Sequence, residues 1–136
     1  MTVGLRVGPI YYIVGTESFA HSFFSTIAYR LENNKWGSKF PHLMNELYKK
    51  ETDYKKCIKI RKELEIIKNE LSKLTPDKII WDIEDLTKQP PWGNNLAETI
   101  TDMSNYYVTS DGKQLFDIWE KALQTAIETK KTLKIQ

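Results

Sequence analysis

Cysteine is nearly absent: Cys57 stands alone in 136 residues, so no disulfide can close within the chain and a disulfide-stapled secreted scaffold is excluded. With only two histidines beside that cysteine, no paired Cys/His spacing marks a structural zinc site. Long apolar runs are missing too. The longest near the start, residues 9–14, is too short for a signal-peptide core or a membrane span, which leads to the expectation of a cytoplasmic protein without a membrane partner. The six glycines form neither a G-x-G-x-x-G nor a G-K-[ST] phosphate loop, and no serine sits in G-x-S-x-G. Twenty basic against eighteen acidic residues leave a net charge of only +2, too weak a field to hold nucleic acid.

Present instead are four Trp, seven Tyr and five Phe, enough apolar area for one core and a single domain over residues 1–136. Residues 2–7 and 10–14 are rich in β-branched and aromatic side chains and are split by Gly8-Pro9, the pattern of a hairpin. Thr16 or Ser18 then caps a helix to about Leu31, with Phe19, Phe23, Phe24, Ile27, Ala28 and Leu31 along one face. Residues 33–38 read as a loop, and Pro41 opens a short helix through Leu43, Met44, Leu47 and Tyr48. Cys57, Ile60, Leu64, Ile67, Leu71 and Leu74 recur at spacings of three and four, which predicts a long helix over 52–74 with Lys59–Glu63 and Arg61–Glu65 pairs on its wet side. Residues 78–84 read as a strand, with Trp81 and Ile83 on one face and Asp82 and Glu84 on the other. Pro90-Pro91 forces irregular chain over 89–95. A short helix over 96–103, a strand over 105–109, a last helix capped by Asp111 with Gln114 in the capping-box position, and a strand over 133–135 complete the order. The fold class expected is α+β, a small, mainly antiparallel sheet packed with about four helices.

Catalytic candidates are few. His21 sits beside the apolar stripe of its helix, where a boundary histidine is the plainer reading, and His42 at a helix start fares no better. Cys57 falls in register with the long helix's buried stripe, which makes its sulfur core rather than nucleophile. Asp82, Glu84 and Asp85 form the densest carboxylate group, yet nothing supplies another ligand at fixed spacing, so no metal, cofactor or catalytic residue is assigned.

Regional charge is more informative than the sum. Residues 49–78 hold ten basic and six acidic side chains, a mixed run that reads as a solvated helix face. Residues 79–111 hold six acids against Lys88 alone, together with Trp81, Trp92, Tyr106 and Tyr107. Acidic surface with rigid aromatic anchors is the profile of a face that binds a basic protein. The residues proposed for contact are Asp82, Glu84, Asp85, Glu98 and Asp102 for charge, Trp92 for apolar anchoring, and Asn94 and Asn95 for directional hydrogen bonds.

Four segments carry a family likeness. His21-Ser22-Phe23-Phe24-Ser25-Thr26-Ile27, Trp81-Asp82-Ile83-Glu84-Asp85-Leu86, Pro90-Pro91-Trp92-Gly93 and 104–112 (Ser-Asn-Tyr-Tyr-Val-Thr-Ser-Asp-Gly), in that order and spacing, resemble immunity protein family 70 of bacterial polymorphic toxin systems. The resemblance runs from Val3 to Ile135. It implies a small cytoplasmic, non-enzymatic protein that binds and neutralises a cognate toxin domain. Two other functions compete with this one. A small hydrolase or transferase would use His21 with nearby carboxylates, and would need a pocket where His21 reaches both a carboxylate and a hydroxyl. A dimerisation module would use the helix over 52–74.

Overall fold

The chain opens with two strands, β1 (Thr2–Val7) and β2 (Ile10–Thr16), joined by Gly8-Pro9 in a tight antiparallel hairpin. Gly8 takes φ 57° ahead of proline's fixed negative φ, the combination a type II′ turn requires. The ladder skips Val14, so β2 bulges opposite Val3 and Gly4. Gly4 is needed there: a Cβ would lie 2.5 Å from the Tyr12 carbonyl oxygen and 2.6 Å from the Tyr11 ring. This computed structural model describes residues 2–48, 50–93 and 95–136.

Helix α1 (Glu17–Thr26) follows at once. The Thr16 hydroxyl accepts the Phe19 N–H at 3.1 Å, so the cap is Thr16 rather than Ser18. The helix widens into a π-helical segment, Ile27–Leu31, and ends at Asn33 and Asn34, both left-handed (φ 52° and 62°), a conformation asparagine tolerates. A second π-helical turn, His42–Leu47, stands where proline was expected to open an ordinary helix. Helix α2 (Tyr54–Leu71) is capped by Asp53, which accepts the Lys56 N–H at 2.9 Å. Its stripe Cys57, Ile60, Leu64, Ile67 and Leu71 is buried as the periodicity requires. The expected Lys59–Glu63 and Arg61–Glu65 pairs are replaced: Arg61 pairs with Glu120, and Glu63 bonds backbone, as described below.

Helix α3 (Leu115–Thr129) begins later than its predicted capping box. Gln114 is the cap residue and makes no side-chain cap bond, while Asp111 accepts the Thr109 hydroxyl instead. Short strands β3 (Glu51–Thr52) and β4 (Leu133–Ile135) complete a four-stranded, fully antiparallel sheet in the order β2-β1-β4-β3. Helices α1 and α3 cover its inner face, and α2 packs on α3 and the π-helical segments. The core between them is aromatic. Phe23 meets Phe116 at 5.5 Å and Tyr107 at 5.4 Å, both edge-to-face, and stacks on Trp119 at 6.1 Å. The fold is α+β.

Between α2 and α3 the sequence reading fails in three places. After a 3₁₀ turn at Pro76–Lys78, the described residues of 79–114 hold turns, bends and one isolated bridge, Val108 to Gln114. The strand over 78–84 does not form, because its backbone groups pair with α1 hydroxyls instead of a neighbouring strand. Ser22 Oγ donates to the Ile80 carbonyl at 2.9 Å, the Ile80 N–H donates to Thr26 Oγ1 at 3.0 Å, and the Ile83 N–H donates to Ser25 Oγ at 3.2 Å. The helix over 96–103 is lost to local side-chain bonds: Asn105 Oδ1 reaches back to accept the N–H groups of Thr101 and Asp102 at 3.0 and 3.2 Å, and Asp102 accepts that of Ser104 at 2.7 Å in an Asx turn. The strand over 105–109 reduces to its one bridge, since no strand partner lies alongside.

Candidate functional site

The position of the site follows from a chain of backbone supports. In α2, Glu63 accepts the N–H groups of His42 (3.3 Å) and Leu43 (2.8 Å), satisfying the open start of the π-helical turn. Burial pushes the Glu63 carboxyl above its ordinary range, and those two bonds oppose the push. Buried Glu32 does the same for the preceding loop, accepting N–H groups from Gly37, Lys39 and Phe40 at 2.8 to 3.1 Å. The Trp36 indole donates to the Met44 carbonyl at 2.9 Å and locks loop to turn. Tyr48 emerges from that turn packed on Phe24 (4.5 Å) and Trp36 (5.0 Å), with its hydroxyl aimed at α1.

There it meets His21. Nδ1 of His21 lies 2.6 Å from the Tyr48 hydroxyl, and Nε2 lies 3.2 Å from Asp82 Oδ1. An ionised carboxylate only accepts, so in the neutral ring Nε2 carries the proton and Nδ1 accepts from Tyr48. Burial pushes the Tyr48 hydroxyl above its usual value, and the carboxylates of Glu84, Asp82 and Glu17 push it further. Burial also acts to raise Asp82, but the Glu84 N–H, His21 and Lys88 outweigh it and hold the carboxyl below the usual range. Lys88 Nζ stands 3.6 Å from Asp82 Oδ2. Together these groups line a cavity of about 550 Å³, whose walls include Glu17, Trp81 and Glu84.

Seven of the eight expected contact residues lie among the described residues, and they serve different local roles. Asp82 and Glu84 line the cavity, although not as neighbours on a strand face: Asp82 accepts the Glu84 N–H at 2.9 Å and turns the chain. Asp85 accepts from the Thr87 N–H and hydroxyl (3.1 and 2.6 Å), and Asp102 holds the turn at Ser104. Both carboxylates therefore stabilise local backbone, and both lie below the ordinary range, Asp85 through Thr87 and Asp102 through Ser104. Trp92 is 37% exposed, donates its indole N–H to the Tyr106 hydroxyl at 2.8 Å, and meets Trp81 edge-to-face at 5.4 Å. Glu98 and Asn95 are exposed, and Asn94 lies outside the described residues.

Sequence reasoning set His21 aside and missed Tyr48, Glu17 and Lys88 as members of one site. No fixed spacing ties them, because they come from α1, the π-helical turn and the irregular segment. The only available signal was that His21 and Asp82 both fall in the segments carrying the family resemblance. Ser22 and Ser25 beside His21 are explained by their bonds to Ile80 and Ile83. His42 pairs with Glu46 at 2.6 Å, and Cys57 is buried, its thiol pushed up to about 12. Among the described residues, no three His, Cys, Asp or Glu side chains are gathered to hold a metal ion, and no helix is long and apolar enough to cross a membrane.

No curated protein and no solved structure matches the chain. The family model described as Immunity protein 70 matches residues 5–135, a span that runs from within β1 through β4 and includes His21, Tyr48 and Asp82. The chain thus belongs to the Immunity protein 70 family.

Proposed function

We propose that this immunity protein acts in the cytoplasm as a stoichiometric inhibitor, without catalysis of its own, binding a cognate toxin domain and occluding its active site or substrate groove. Residues 1–136 serve as one domain for this purpose. The observation that carries the reading is the pinned irregular segment. Among the described residues of 79–114 no helix or named strand forms, yet hydroxyls of α1 fix their backbone at Ile80 and Ile83 while Leu86, at 51% exposure, Trp92 and Glu84 face outward. A display fixed before contact spares the ordering cost that a flexible loop would incur on binding. Its charge suits a toxin that attacks nucleic acid and carries a basic groove: carboxylates at Asp82, Glu84, Asp85, Glu98 and Asp102 imitate phosphate and steer association. Trp92 gives an apolar anchor, and Asn94 and Asn95 give directional hydrogen bonds.

Co-expression with the toxin-domain protein encoded beside it tests the role. Survival together with a stable complex of fixed stoichiometry is expected; survival without any complex overturns it. The acidic face is tested by Glu84→Lys with Glu98→Lys, both exposed, for which a loss of about tenfold to a hundredfold in affinity at low salt is expected, shrinking as salt rises. An unchanged affinity across salt removes the face while leaving the inhibitor role intact.

One observation favours the enzyme reading: His21 does reach a carboxylate and a hydroxyl beside a cavity, as that reading requires. Against it, both ring nitrogens are already engaged, and the hydroxyl in reach belongs to Tyr48, whose ionisation is opposed by burial and three carboxylates. A toxin covalently altered in the presence of catalytic amounts of the protein, and spared by His21→Ala, would decide for the enzyme.

A further inference from the structure

We propose that the cavity beside His21 is a guanidinium socket, taking one arginine side chain of the partner between the Trp81 and Tyr48 rings and the carboxylates of Asp82, Glu84 and Glu17. The partner's identity rests on the inhibitor role above; the chemistry of the socket does not.

Carboxylates on a surface are ordinarily just solvated, and two further observations make this group a receptor. The first is the cavity itself. At about 550 Å³ it falls within the range of pockets that enclose small ligands, with Val3, Ala20 and Ile135 contributing apolar wall for a methylene stem. The second is the group already lodged at its mouth. Lys88, with a side chain 59% exposed, places its ammonium 3.6 Å from Asp82 Oδ2. That distance exceeds a hydrogen bond, so the contact is a loose one that an incoming cation can displace. The chain therefore supplies its own stand-in for the ligand. The lining also selects sign: three carboxylates face one ammonium, which disfavours an anion. Guanidinium suits the site better than a second ammonium, because it is planar, stacks on an indole, forks onto carboxylate oxygens and gives up water more readily. Asp82 is suited to accept it, since the Glu84 N–H and His21 hold Oδ1 in place and leave Oδ2 toward Lys88.

The test uses the full chain with N-acetyl-arginine amide as probe and the citrulline compound as its neutral counterpart, followed by NMR at the Trp81 indole N–H and the His21 ring. Saturable shifts are expected with arginine, and binding at least about fivefold weaker with citrulline. Lys88→Ala is expected to tighten arginine binding by about twofold to fivefold, whereas Lys121→Ala, which removes the same charge from the α3 surface, leaves it unchanged. Glu84→Gln, at an exposed position that spares the packing, is expected to weaken it. Equal behaviour of arginine and citrulline, absence of saturable shifts at these two residues, or weakening by Lys88→Ala overturns the socket. The toxin separates the two claims. A toxin that binds wild-type and Glu84→Gln protein equally overturns the socket and keeps the inhibitor. A toxin that fails to bind wild-type protein, while arginine amide still titrates the cavity, overturns the inhibitor and keeps the socket.

Discussion

In the sheet and in α1 to α3, backbone N–H and C=O groups pair with one another in repeating ladders; in the described part of residues 79–114, single backbone turns are interspersed with N–H groups held by side chains. Ser22, Ser25 and Thr26 bind Ile80 and Ile83, while Asp82, Asp85, Asp102 and Asn105 close turns on themselves. The first arrangement repeats along an element, and one lost residue leaves its neighbours paired. The second has no repeat, so each side chain is answerable for particular backbone groups. The scaffold should thus respond to lost volume, and the segment to lost hydroxyls and carboxylates.

Truncating the scaffold's aromatic centre gives the largest expected effect. Phe23→Ala should cost about 3–5 kcal/mol, measured as a lower urea midpoint at unchanged slope, because Phe116, Tyr107 and Trp119 would border a cavity. Thr26→Val preserves shape but orphans the buried Ile80 N–H, at a cost of about 1–3 kcal/mol. Its signature should be local: hydrogen exchange should rise at Ile80 and Ile83 and stay slow in α2. Uniform acceleration across both regions would break the contrast.

Two carboxylates sharpen it with opposite signs. Asp82, held low in the folded chain, binds fewer protons folded than unfolded, so its stabilisation is present above the unfolded carboxyl value and is lost as pH falls through the folded one. Glu63, pushed up by burial, binds more protons folded than unfolded, so its contribution worsens as pH rises through the window from the unfolded to the folded value. Acid titrations of stability should become shallower in Asp82→Asn and steeper in Glu63→Gln. Slopes that move the same way would refute this assignment. The smallest effect concerns Cys57. With its thiol pushed up to about 12 by burial, it should stay silent to a disulfide reagent at pH 8 and react once urea unfolds the scaffold.

The same contrast explains what could be read in advance. The hairpin at Gly8-Pro9, the Phe19–Leu31 face, the Cys57–Leu71 stripe and the last strand all follow from a period and a local stop signal, and each appears in place. The Lys78–Glu84 strand had β-branched and aromatic residues but no way to announce that its partner would be a row of hydroxyls on α1, some fifty-eight positions away for Ser22 and Ile80. Likewise, Asp102, near the end of the predicted helix, and Asn105, at the start of the predicted strand, spend their side chains on nearby backbone N–H groups.

The sequence alone determined the α+β class, the buried stripes, the hairpin turn and the concentration of acids and aromatics between α2 and α3. These depend on neighbours three or four positions apart, or on residues whose φ is fixed or unusually free. Only the tertiary structure decided that His21, Tyr48 and Asp82 share one hydrogen-bonded row, and that Asp85 and Asp102 serve their own turns. It also brought Lys88 to the mouth of the cavity. Such contacts are set by how α1, the π-helical turn and the irregular segment pack together, and packing of distant segments leaves no period in the chain.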